Sequence, residues 1–145
     1  MSDNENVSPN FAQNGRKRAW CFTINNYEDT DVVRLSELVQ NEYARYVCFQ
    51  PEIGASGTRH VQGYVVFANA KQLSGVKRRI SRRCHAEPAK GTAQQNREYC
   101  SKADTLDTSA TCGGEPFVFR EYGEFPAGTG CGKGMLIYIN MCCRT

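Results

Sequence analysis

The sequence predicts an α+β domain: a split βαβ, ferredoxin-like antiparallel sheet with helices on one face. Three observations carry that expectation. Period-two alternation of apolar residues at 18–25, 44–52 and 60–68 reads as strands. Two further segments space their apolar residues as helices do. The resulting order, β-α-β-β-α-β, is that of the split βαβ unit, whose sheet is covered on one face and left free on the other.

Each element follows from its own residues. Residues 1–15 are a polar, flexible lead-in. "RAWCFTIN" (18–25) alternates Trp20, Phe22 and Ile24 against Cys21, Thr23 and Asn25, and Asn26 begins a turn. "EDTDVVRLSELVQN" offers Thr30 or Asp31 as an N-cap, with Val32, Leu35, Leu38 and Val39 as its apolar stripe. "ARYVCFQPE" (44–52) is strand-like, and Pro51 near its end suits an edge or a terminus. The glycine-rich turn "IGASGTR" leads into the strand 60–68. "NAKQLSGVKRRI" reads as a helix with Leu73, Val76 and Ile80 inward and its basic residues outward. "CHAEPAK" is a short strand interrupted by Pro88, "TAQQNREYCSK" (92–102) a very polar helix, and "FVFREYGE" (117–124) a last strand. Residues 126–145 show no clear period and read as an irregular tail. One domain over 16–125 is the expected organisation.

The 145-residue length and 40% hydrophobic content suit one domain with a sizeable core. "MSDNENVSPN" lacks the apolar stretch of a secretory signal. The longest apolar run, "MLIYINMCC", is far short of the ~20 residues of a membrane helix. The final "CCRT" has no aliphatic pair of a prenylation box. An intracellular protein without a membrane partner is expected. Its eight cysteines contain no C-x-x-C spacing, so reduced thiols are the default, with Cys21, Cys48 and Cys84 acting as small hydrophobes in strands.

The net charge of +3 hides an asymmetry. Lys71, Lys77, Arg78, Arg79, Arg82, Arg83, Lys90, Arg97 and Lys102 face only Glu87 and Glu98 within residues 71–102. So pure a basic segment points to a polyanion, and nucleic acid is the favoured partner over a merely solvated helix face.

One constellation carries chemistry. His60 and Gln62 share a strand face with Tyr64. Taken alone, such a pair is most simply two solvated side chains. A hairpin through Ile53–Arg59, however, returns Glu52 to the side of His60. A carboxylate, an imidazole and an amide oxygen then make a mostly oxygen site suited to exchangeable Mn²⁺ or Mg²⁺ rather than structural zinc. On the polar helix, Tyr99 and Lys102 lie at i and i+3, hence on one face. Tyr99 is either an anchor of that helix to the sheet or a nucleophile, its phenolate stabilised by a neighbouring ammonium or metal.

The stretches "CFTINN" (21–26), "EIGASGTRHVQGY" (52–64) and "REYCSK" (97–102), with "RCHAEPAKGTAQQN" leading into the last, resemble the HUH-type endonuclease domain of replication initiator (Rep) proteins of circoviruses and related small circular single-stranded DNA viruses. The resemblance spans roughly 16–125, and "EYGE" (121–124) is similar to the domain's end. It implies that Phe22, Thr23, Asn25 and Asn26 bind origin DNA and shape the site. It implies that Glu52, His60 and Gln62 hold the metal, Gln62 in place of a histidine. Tyr99 falls on the nucleophile and Lys102 on the lysine one turn later. The implied activity is metal-dependent nicking and rejoining of single-stranded or hairpin origin DNA through a 5′-phosphotyrosyl link, for rolling-circle replication in the host nucleus. Host replication machinery and self-association are the further partners implied. Lys77, Arg78, Arg79, Arg82 and Arg83 are expected to contact the DNA backbone.

Family members continue into a helicase domain. Here "AGTGCGKGM" (127–135) departs from a phosphate-binding loop, with Ala127 for the first glycine and Gly134 for the magnesium-holding hydroxyl, so no ATPase is expected. The alternative is a non-catalytic nucleic-acid-binding module, or a regulatory isoform that occupies the origin without unwinding it. An open sheet face with aromatics also serves RNA-recognition domains.

Overall fold

The computed structural model describes residues 16–126 and 135–138. The lead-in 1–15, the glycine-rich stretch 127–134 and the last residues lie outside them. The strands are β1 (Lys17–Asn25), β2 (Ala44–Ile53), β3 (Arg59–Lys71), β4 (His85–Pro88), β5 (Thr111–Cys112), β6 (Glu115–Pro116), β7 (Arg120–Phe125) and β8 (Met135–Tyr138). The helices are α1 (Asp29–Ser36), α2 (Leu73–Arg79) and α3 (Ala93–Tyr99).

The main sheet has six strands in the order β4-β1-β3-β2-β7-β8, and every neighbouring pair is antiparallel. Its first four strands form the expected split βαβ unit, with β1 between β4 and β3 and β3 between β1 and β2. A two-stranded β5–β6 hairpin sits apart. It has no apolar alternation for the sequence to betray. Within the segment read as an irregular tail, Met135–Tyr138 pairs with β7.

Alternation sorts the side chains as expected. One face carries Trp20, Phe22 and Ile24 of β1, Val47 and Phe49 of β2, and Val61, Val65 and Phe67 of β3. Val32, Leu35 and Leu38 of the α1 segment and Val76 and Ile80 of the α2 segment close over it. Each such fully buried side chain contributes about 1.5–3 kcal/mol. Gly63 serves this layer: a Cβ there would overlap the Phe22 ring of the neighbouring strand.

Three details depart from the sequence reading. Leu73, expected to face inward, is 44% exposed as the first residue of α2. The N-cap of α1 is Glu28 rather than Thr30 or Asp31. Its side chain accepts from the backbone of Asp31, whose carboxylate in turn accepts from the Glu28 backbone N–H. And while α1 and α2 cover one face as expected, α3 lies across part of the other. There Tyr46, Cys48, Tyr64 and Cys100 form a second cluster, with Ala93 and Phe125 packed against it.

Candidate active site

The face that α3 partly covers carries the polar rows of β1, β2 and β3. Cross-strand register places Glu52 opposite His60, Gln50 opposite Gln62, Asn25 opposite His60 and Thr23 opposite Gln62. Glu52 Oε1 stands 3.3 Å from His60 Nε2, with side-chain exposures of 4% and 17%. The second oxygen, Oε2, accepts from Lys102 Nζ at 3.1 Å and from Gln50 Nε2 at 3.0 Å. His60 Nδ1 lies 3.3 Å from the Thr58 carbonyl, a contact that an Nδ1–H can donate.

Gln62 is turned toward β1. Thr23 Oγ1 donates to Gln62 Oε1 at 3.2 Å, and Gln62 Nε2 donates to the Phe22 carbonyl at 3.3 Å. Glu52 and His60 are therefore the pair brought into contact, with Gln62 one register position along. Cis ligands of an octahedral Mg²⁺ lie about 3 Å apart, so the Glu52–His60 separation fits two donors on one hard cation. The Glu52 carboxylate and His60 Nε2 are the two donors that could hold such a cation; the Gln62 oxygen is engaged by Thr23.

The nucleophile candidate is held from three sides. Thr92 caps α3, its hydroxyl accepting from the Gln95 backbone N–H while the Gln95 side chain accepts from the Thr92 backbone. Buried Asn96 accepts from Cys21 Sγ at 3.0 Å and donates to the Lys90 and Thr92 carbonyls. Arg97 makes two parallel bonds, 2.7 and 2.6 Å, to Glu121 of β7, which also accepts from the buried Tyr46 hydroxyl at 2.6 Å. Burial alone would raise the Glu121 carboxyl. The Arg97 and Tyr46 hydrogen bonds and the Arg97 charge outweigh it and hold the group below the usual carboxylate range. These contacts leave Tyr99 55% exposed, as its polar helix suggested. Lys102 Nζ sits 3.8 Å from the centroid of its ring.

Beside Tyr99 an open cleft of about 600 Å³ is lined by Thr23, Gln62, His85, Glu87, Lys90 and Asn96 among others. His85 enters because β4 pairs with β1, placing His85 opposite Thr23. The cysteines of this face are free thiols. Burial, with the charges of Glu87 and Cys48, pushes Cys21 up to about 11, which removes it as a nucleophile at neutral pH.

The remaining expected site residues are divided between the two faces. Phe22 is 1% exposed and its side chain points into the core, so it meets the cleft through its backbone, whose carbonyl accepts from Gln62 Nε2. Asn25 lies on the site face, and its carbonyl accepts from Arg83 Nη1 at 2.9 Å. Asn26 takes the turn with φ 52. Arg83 also reaches Asp31 at 3.2 Å. Lys77, Arg78, Arg79 and Arg82 sit with α2 on the helical side of the sheet, away from Tyr99, and the Arg79 guanidinium stacks 3.8 Å over Tyr43. Sequence reasoning missed Gln50, Arg97 and Glu121 as supports. Gln50 shares parity with Glu52, the one signal that could have found it; the pairing of Arg97 with Glu121 has no local signature.

The sequence profile of the viral replication protein family matches residues 17–103, a span that holds β1 through α3 and both Glu52–His60 and Tyr99–Lys102. The chain belongs to that family. The replication-associated protein of Porcine circovirus 1 is 39% identical over 85 residues, 59% of this chain and 27% of the relative. That of Beak and feather disease virus is 42% identical over 85 residues, 59% of this chain and 29% of the relative. The master replication protein of Milk vetch dwarf virus is 33% identical over 138 residues, 87% of this chain and 42% of the relative. This viral replication protein thus spans less than half the length of these relatives. Its ferredoxin-like sheet is the one expected of a circovirus-like Rep domain of the HUH type.

Proposed function

We propose that this domain nicks and rejoins single-stranded viral origin DNA, with Tyr99 as nucleophile and a divalent cation, Mg²⁺ or Mn²⁺, held by Glu52, His60 and Gln62. The observation that carries the reading is Lys102, which joins the Glu52 carboxylate to the Tyr99 ring. A pure binding module has no use for a buried carboxylate and imidazole beside an exposed tyrosine. The relatives' names, replication-associated and master replication protein, accord with initiation of replication.

A cation held by these residues would supply charge to offset the negative charge growing on the scissile phosphate. The protein supplies the rest. Cross-strand register fixes Glu52 against His60, and the Gln50 amide keeps Oε2 turned inward so that Oε1 faces the imidazole. The caps and the Arg97–Glu121 pair hold α3 so that Tyr99 meets a strand lying in the adjacent cleft. The Tyr99 oxygen forms a bond to phosphorus as the bond from phosphorus to the 3′-oxygen breaks. The phenolic proton is lost to solvent, and the departing 3′-oxygen takes one up to give a free 3′-hydroxyl. The Lys102 ammonium stands beside the ring to stabilise the phenolate. Attack by a 3′-hydroxyl on the phosphotyrosine reverses both bond changes and needs no ATP.

Incubating the protein with labelled single-stranded origin DNA and Mn²⁺ tests this. A covalent adduct that resists denaturation and disappears with EDTA is expected. An adduct insensitive to EDTA removes the cation from the reading.

A further inference from the structure

We propose that the cationic pocket between α1 and α2 is a second nucleic-acid site, which holds the phosphate backbone of a DNA duplex on the opposite side of the sheet from Tyr99. The proposal rests on the replication reading in taking DNA as the partner. The pocket, about 540 Å³, is lined by Arg34, Ser74, Lys77, Arg78 and Arg82, with no carboxylate among them. Asp29 and Glu37 line the adjoining groove instead, and Asp31 is already engaged by Arg83. Helix α2 has no acidic residue in its first turn and three basic ones in its last. Helices normally intersperse signs, because like charges at such spacing repel; an anion between them relieves the repulsion.

The position separates this pocket from the nicking site. Val76 and Ile80 bury α2 against the Phe22–Phe49 layer, whereas Tyr99, Glu52 and Gln62 belong to the other face. A sheet and its helical layer lie between, so the phosphate at Tyr99 and the phosphates at Arg78 belong to different segments. The lining also selects the kind of segment. Single-strand grooves combine cations with aromatic faces on which bases stack. No aromatic lines this pocket, and nearby Tyr43 is covered by Arg79. A site of guanidinium, ammonium and one hydroxyl reads backbone alone, which is what a duplex with its bases stacked inside presents.

Fluorescence anisotropy with two probes tests this: a mixed-sequence DNA duplex, and oligothymidine of the same length. The variant replaces Arg34, Lys77, Arg78 and Arg82 together with Gln; all but half-buried Lys77 are exposed, and circular dichroism checks the fold. Duplex affinity should fall by roughly tenfold or more at low salt, and its salt slope by about 0.9 per lost contact. Oligothymidine affinity should stay within about twofold. Unchanged duplex binding overturns the proposal, as does equal weakening of both probes. Loss of nuclear accumulation with duplex affinity intact would overturn it too, and assign the patch to an acidic import partner. If the wild-type protein forms no tyrosyl adduct, the nuclease reading fails, and the duplex comparison still decides this one.

Discussion

Glu52 and Lys102 form a 3.1 Å ion pair between the end of β2 and the residues just past α3, with the carboxylate almost wholly buried. On the proposed reading, Lys102 and a bound divalent cation would compete for one carboxylate. Lys102→Met should raise Mn²⁺ affinity by roughly several-fold, since a neutral side chain no longer occupies Oε2, while slowing adduct formation. Titration of Mn²⁺ by electron paramagnetic resonance reads the first effect without any cleavage. Weaker Mn²⁺ binding in the variant would show that Lys102 supports the ion instead.

Gln50 is 1% exposed and spends both amide hydrogens, one on Glu52 Oε2 and one on the Lys102 carbonyl at 2.8 Å. Gln50→Leu keeps the volume, takes the Gln50 donor from the Lys102 carbonyl and leaves Glu52 Oε2 with Lys102 alone, so a loss of about 1–3 kcal/mol is expected in urea unfolding. A loss within experimental error would mean that water replaces the amide.

The Arg97–Glu121 pair makes stability depend on acid. Glu121's carboxyl lies below its ordinary value in the fold, as does that of Asp107, where Ser109 and Arg59 outweigh the effect of burial. The unfolded chain therefore takes up protons first. The stability these groups contribute is present above about pH 4 and is lost as the pH falls through their lower folded values. Glu121→Gln should cost about 2 kcal/mol at neutral pH and flatten the acid limb of a stability–pH curve. An identical acid limb would place the dependence elsewhere.

Gly63→Ala forces a methyl group into the Phe22 ring, which lies over Gly63 from the paired strand and leaves no space for a Cβ. Overpacking of this kind costs about 1–3 kcal/mol, and a lowered thermal midpoint with weaker protection of β1 amides should show it.

Much of this was legible in the chain. Alternation in β1, β2 and β3 marks both faces of the sheet, and hairpin parity alone sets Glu52 against His60. Periodicity could not show which side of the sheet a helix takes. "TAQQNREYCSK" has too few apolar residues to declare a face, and its docking depends on Asn96 and on Arg97 meeting a glutamate from a distant strand. For the same reason the basic run 77–83 looked like one contact surface. Val76 beside it and Ile80 within it turn it to the helical side, leaving Arg83 to tie Asn25 to Asp31.

The central claim is that the Tyr99 oxygen is the nucleophile, and Tyr99→Phe tests it most directly. The ring is 55% exposed and its hydroxyl holds no packing together, so the variant should fold and bind single-stranded origin DNA as the wild type does. With Mn²⁺ present, the wild type should give a protein–DNA band on a denaturing gel and the variant none, because no phosphotyrosyl bond forms without that oxygen. An adduct of normal yield from Tyr99→Phe would contradict the account.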